Sequence, residues 1–178
     1  MVEESSVGVP LKAFDCLGCG HCCQGRGGII VAPQDLHRIA DHLGLTPDEF
    51  ITGYGERKGE KLVIRMGDDG YCFFYRQGVG CGVHVAKPDV CRAWPFFRGN
   101  LLDPVSLDLA RDYCPGIAKD VSFAEFVKQG ITYLQGEGIG FGGGPLEANA
   151  LNIQDIIDFS AESASTSARD TAKNIPKK

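Results

Sequence analysis

Apolar positions first fall into a helical rhythm at Pro33–Leu43, where Leu36, Ile39, Ala40 and Leu43 share one face, a proline suits the first turn and Gly44 supplies the stop. A shorter helix is predicted from Pro47, capped by Thr46, with Asp48 and Glu49 at the positive end of its dipole and Phe50 turned to the core. Residues 61–66 and 71–75 read as two strands joined by a hairpin turn at Gly67-Asp68-Asp69-Gly70, which puts Cys72 on a strand. After Asp103-Pro104, the alternation of Val105, Leu107 and Leu109 with polar residues predicts a further strand leading to Cys114. Ser122 and Glu125 form a capping-box pattern that opens a helix with Phe123, Phe126, Val127, Ile131 and Leu134 along one face and Gly136 at its end. A last helix is expected over residues 148–159. From residue 160 onward apolar positions almost vanish, so a disordered tail is expected there. There is no internal repeat, and the pattern divides into an arm (1–13), one cysteine-rich domain (14–160) and the tail (161–178).

Composition narrows the function classes. With 178 residues, 43% hydrophobic and 23% charged, the chain can build a core without crosslinks. The first residues show neither a basic start nor an apolar stretch before a cleavage site, and no apolar run approaches the length of a bilayer span. A cytoplasmic location with no membrane association is therefore the expectation, and in that compartment thiols stay reduced. A net charge of −5 and a pI near 5.3 give no basic footprint for nucleic acid.

Against that background the stretch CLGCGHCCQG, residues 16–25, places Cys16, Cys19, Cys22 and Cys23 among glycines. A disulfide staple needs an oxidising compartment, and a bond between the neighbours Cys22 and Cys23 would distort the peptide joining them. A thioredoxin-like dithiol would use one C-x-x-C pair and leave the remaining cysteines idle. Simple burial suits cysteines on an apolar face, which these are not. Thiolate ligation of a metal accounts for both number and spacing: successive C-x-x-C turns can direct sulfurs inward, and glycines let backbone N–H groups approach them. Cys72, Cys81, Cys91 and Cys114 could each be core thiols taken singly. However, a glycine-bearing turn between Cys72 and Cys81 could fold those two sulfurs together, and Cys91 lies beside Trp94, Phe96 and Phe97, rings able to exclude water. Arg92 is a candidate cofactor-binding residue, its charge offsetting that of the thiolates, with an ordinary ion pair as the alternative.

In order and spacing, C-x-x-C-x-x-C-C, the leucine-rich helix at 36–43, C-x8-C and K-P-x-V-C-R-x-W-P-F resemble the YkgJ-type cysteine-cluster family of zinc- or iron-chelating domains, over about Cys16 to Cys114. The resemblance implies metal ligation by Cys16, Cys19, Cys22, Cys23, Cys72, Cys81 and Cys91, with Cys114 as an eighth. It departs at His84, where relatives tend to carry an aromatic residue. Some relatives are flagellin lysine N-methylases, which implies an alternative function as an accessory or cluster-bearing relative of a protein methyltransferase. Little chain remains after Cys114 for an S-adenosylmethionine pocket.

Zinc sites take cysteines as two separated pairs, and only the first half of this pattern offers such a pair. Three cysteines in C-x-x-C-x-x-C plus a distant fourth suit an iron–sulfur cluster of the 4Fe-4S type, and Cys114-Pro115 matches the cysteine-proline of bacterial ferredoxins. Zinc and mononuclear iron stay open as alternatives. If residues 22 and 23 are extended, their side chains point to opposite sides, so the cysteines are expected to divide between two neighbouring centres. His21 reads as a solvent-facing loop residue, and the G-x-G-x-x-G match at 138–143 follows a helix and reads as a loop. The expected fold class is α+β: a small, irregular, metal-stabilised domain with short strands and several helices. The expected function is a non-catalytic metal-binding module serving structure, electron transfer or metal handling, with a protein partner of unknown identity.

Overall fold

The computed structural model describes residues 11–25, 27–140, 144–156 and 158. The expected tail, most of the arm and part of the glycine loop lie outside them. The described part is α+β, with strands β1 (Ile29–Ile30), β2 (Gly55–Lys58), β3 (Lys61–Ile64), β4 (Tyr75–Arg76) and β5 (Gly80–Cys81). Its helices are α1 (Pro33–Leu43), α2 (Pro47–Tyr54), α3 (Asp89–Ala93), α4 (Arg98–Leu102), α5 (Pro104–Tyr113) and α6 (Phe123–Gly136).

Local chemistry explains the helix ends. Asp35 turns back to accept a hydrogen bond from Ala32 N at 3.1 Å, and Gly44 closes α1 in the left-handed conformation at φ 68°. In α2 the capping box forms in full: Thr46 Oγ1 accepts from Glu49 N, and the Glu49 carboxylate accepts from Thr46 N at 2.8 Å. Only half of the expected box forms on α6, where Ser122 accepts from Glu125 N while the Glu125 carboxylate accepts from Gln129.

Three expected elements are corrected. Residues 104–113 are helix α5, because Asp103 caps the N-H groups of Val105 and Ser106, and Pro104 sits in the first turn. The buried residues are Leu107 and Ala110, at helical spacing, while Val105 and Leu109 face solvent. The partner of β3 is β2, through a two-residue turn with Gly59 at φ 63°, and β1 lies on its other side, giving the antiparallel order β1-β3-β2. The turn at Gly67–Gly70 does form, but after one bridge between Met66 and Cys72 the chain turns again, with Tyr75 N donating to Cys72 O. The helix expected from residue 148 is broken into a 3-10 turn at Asn149–Leu151 and helical residues from 154. Leu151, Ile153 and Ile156 are all buried, a spacing that would put Leu151 and Ile153 on opposite faces of one amphipathic helix.

Two apolar cores result. One joins α1, α2 and β3 through Ile39, Phe50, Ile64, Phe74 and Val83. The other joins α4, α5 and α6 through Leu101, Leu107, Phe126 and Leu134, and also takes in Ala13, whose N–H donates to Gln129 of α6. Asp35 links the halves: its carboxylate accepts from Asp89 N at 3.0 Å and pairs with Arg38, which also pairs with Asp89. That link fixes where α3, and with it Cys91, sits.

Candidate metal centre

The cysteines converge on the seam between the two cores. Residues 15–25 cross it as a loop with little regular structure, held by backbone bonds to its neighbours. Asp15 N donates to Gly116 O at 2.9 Å, and Cys72 N donates to Cys23 O at 2.7 Å. Gly20, at φ 82°, starts the 3-10 turn His21–Cys23, and Cys23 N closes it onto Gly20 O at 2.8 Å. A side chain at Gly20 would fall 2.2 Å from the Tyr75 ring, whose hydroxyl donates to Cys19 O. His21 is exposed and engaged by Tyr113: its Nδ1 lies 2.7 Å from Tyr113 O, and Tyr113 Oη donates to His21 O.

The hairpin β4-β5 brings Cys81 back toward Cys72 in the way its glycines allow, with Gly82 N closing on Phe74 O. Cys91 comes from α3, and Cys114 caps the C-terminus of α5. All eight cysteines line one cavity of about 70 Å³, walled also by Phe14, Ile64, Val83 and Trp94. Since a single water needs about 10–15 Å³ on this measure, several atoms fit.

The expected division between two centres rested on an extended Cys22-Cys23 pair. That premise is corrected, because the turn at Gly20 puts both residues in a 3-10 helix and both line the one cavity. Interaction between the two thiols, with help from Lys87, lowers Cys22 to about 6, whereas the same interaction and burial push Cys23 strongly upward. Burial raises Cys72 to about 11 and also raises Cys81 and Cys91, with neighbouring sulfurs adding to the effect on each. Lys87 lines the cavity and opposes these shifts at Cys81 and Cys91. Arg92 does not line it. Its guanidinium donates to Asp89 at 2.9 Å and to Glu137, which braces α3 from outside.

Lys87 is the functional candidate that sequence reasoning passed over. Its signal was the K-P-x-V-C spacing, which sets it four residues before Cys91. His84, the departing position, also lines the cavity.

These residues suit a bound metal. Soft thiols in one enclosure, several of them raised by burial and by neighbouring sulfurs, are stabilised as thiolates by a cation among them. Among the described residues no three Cys, His, Asp or Glu side chains are already drawn into a chelating group. The cysteines ring the space.

No described helix is long and apolar enough to cross a membrane. No curated protein and no solved structure matches the chain, so the methylase alternative has no relative to support it. The cysteine cavity falls within residues 15–115, the span matched by a family model described as "CxxCxxCC: Putative zinc- or iron-chelating domain", and the chain belongs to that family.

Proposed function

We propose that the protein is a metal-binding module in which the eight cysteines hold an iron–sulfur cluster by thiolate ligation, for structure, electron transfer or metal handling. The observation that carries this reading is the convergence of all eight on one apolar-walled cavity, which puts Cys114 beside the C-x-x-C-x-x-C run as a fourth thiolate of the kind a 4Fe-4S cluster takes. Bound there, a cluster would supply one-electron redox chemistry. The chain's own residues would exclude water through Phe14, Ile64 and Trp94, offset thiolate charge through Lys87, and brace Cys91 through the Arg92–Asp89 pair. Thiolate ligation needs reduced cysteines, which suits a reducing compartment, and on that ground we place the protein in the cytoplasm.

Anaerobically purified protein tests the reading. A brown protein with broad absorption near roughly 400 nm, iron and acid-labile sulfide is the expected result. Colourless protein with stoichiometric zinc keeps the thiolate site and overturns the cluster. Metal-free protein with paired thiols overturns both.

A further inference from the structure

The thiol cavity reaches the surface where Cys16, Leu17, Cys19, Cys22 and His84, all exposed, line it. The stretches that build this opening differ in charge from the rest of the chain. Residues 16–34 and 70–88 contain no aspartate or glutamate, although the chain holds 23 of them and a net charge of −5. They carry Arg26, Arg76 and Lys87 instead. Of the acids that bound these stretches, Asp15 is paired with Lys12, Asp35 and Asp89 are paired with Arg38, and Asp69 accepts from Tyr71 N in the turn before Cys72.

Apolar side chains also stand in water around the opening. Leu17 is 62% exposed, Val79 in the turn of the β4-β5 hairpin 82%, and Val85, next to His84, 79%. The hairpin is held against the loop: Tyr75 Oη donates to Cys19 O, and a Cβ at Gly80 would lie 4.0 Å from Gly18 O. Scattered singly, such residues are ordinary. Three around one opening that lacks acids of its own make a patch of the kind a partner covers.

We propose that this opening is the docking surface for an acidic one-electron carrier protein, whose carboxylates face Arg76 and Lys87 and whose apolar centre covers Leu17, Val79 and Val85. The electron step rests on the iron–sulfur reading: one electron leaves the reduced cluster and enters the oxidised centre of the carrier, with no atom or proton transferred. The docking step does not depend on the metal. The exposed cysteines bring the cluster edge to the contact, and charge steering suits the brief, small-area encounters of redox proteins.

Cytochrome c tests this in two forms that share one haem: the native protein, whose rim is rich in lysine, and the same protein with its lysines succinylated to carboxylates. If the overall charge of −5 governs association, the native form binds better; if the opening governs it, the succinylated form does. Calorimetry at low salt on the metal-loaded full chain is expected to show the succinylated form binding about tenfold more tightly, with the difference falling steeply as salt is raised. Stopped-flow mixing of reduced protein with each ferric form should follow the same order, one haem reduced for each electron the cluster loses. Arg76→Glu and Val79→Asp, both at exposed positions, should each weaken the preferred binding several-fold with metal content unchanged. Arg57→Glu, the same charge change at an exposed position on β2, should leave it intact. Tighter binding of the native form, no binding of either, or an equal loss in Arg57→Glu overturns the proposal. So does a dimer of this chain that dissociates in Arg76→Glu, which assigns the opening to a second copy. Binding that appears only once residues 1–10, with Glu3 and Glu4, are removed overturns it too, by assigning the opening to that arm. Failure of the cluster reading would show separately, as colourless protein that still prefers the succinylated form.

Discussion

The loop at 15–25 and the helical frame around α5 and α6 are neighbours in space but are held together by different physics. The frame buries Leu107, Phe126 and Leu134 almost completely, and its helices carry their own caps in Asp103 and Ser122. In the loop, Cys16, Cys19 and Cys22 are exposed, Gly18 and Gly20 take left-handed conformations, and the main ties are backbone bonds to Gly116 and Cys72. Apolar burial therefore stabilises the frame outright, whereas the loop has little of it to draw on. The frame holds Cys114 buried in a fixed place, and the loop presents its cysteines exposed or half-buried.

Removal of the metal should separate the two regions most sharply. Structural thiolate sites contribute on the order of 10 kcal/mol, so chelation should raise amide exchange across 15–25 and 71–82 by orders of magnitude while α6 stays protected. Uniform protection with and without metal would erase the distinction. The converse break is Phe126→Ala, which empties a fully buried site in the frame and should lower global stability by about 3–5 kcal/mol, read as a fall in Tm. A loss of that size confined to the loop would contradict the assignment of the core.

How legible each region was in the sequence follows from the same difference. Gly44, Thr46 and Ser122 act within a turn of where they stand, so α1, α2 and α6 could be read from local spacing. Residues 104–113 were misread because Val105, Leu107 and Leu109 fit an alternating pattern. The decisive signal was the Asp103-Pro104 start, which is also local. The site was legible as a set of sulfurs and illegible as a shape. Nothing local says that Gly20 turns left-handed under the Tyr75 ring, and after that turn both Cys22 and Cys23 line the one cavity. Nor does the sequence distinguish Lys87 from Arg92 as the cation facing the thiols, since tertiary pairing of Arg92 with Glu137 decides it.

Gly20→Ala targets that turn directly. A left-handed alanine costs about 1–2 kcal/mol, and its methyl group displaces the Tyr75 ring and its bond to Cys19 O. Metal affinity should fall by about 10–100-fold, the usual consequence of disturbing a ligand's supporting contacts, with Tm of the metal-free protein nearly unchanged. A large Tm loss without loss of affinity would place the turn in the frame.

The smallest expected effect belongs to the cap on α2, far from the sulfurs. Thr46→Ala removes the hydroxyl that accepts from Glu49 N and donates to the Glu49 carboxylate at 2.9 Å, and should lower stability by about 1 kcal/mol. Those hydrogen bonds from Thr46, backbone first, hold Glu49 below its ordinary range. A carboxylate depressed on folding contributes stability above its unfolded pKa of about 4.3, and that contribution disappears as pH falls through the lower folded value. Wild-type protein should therefore lose this increment in mild acid, and Thr46→Ala should lose less of it, so the two melting curves converge as pH drops below about 4. Because α2 packs through Phe50 into the core shared with Cys72, the variant also asks whether the strength of that core reaches the thiols. Unchanged metal content in Thr46→Ala at neutral pH is the expected answer, and metal loss in step with the lost stability would show that the α2 core and the thiol loop fold as one unit.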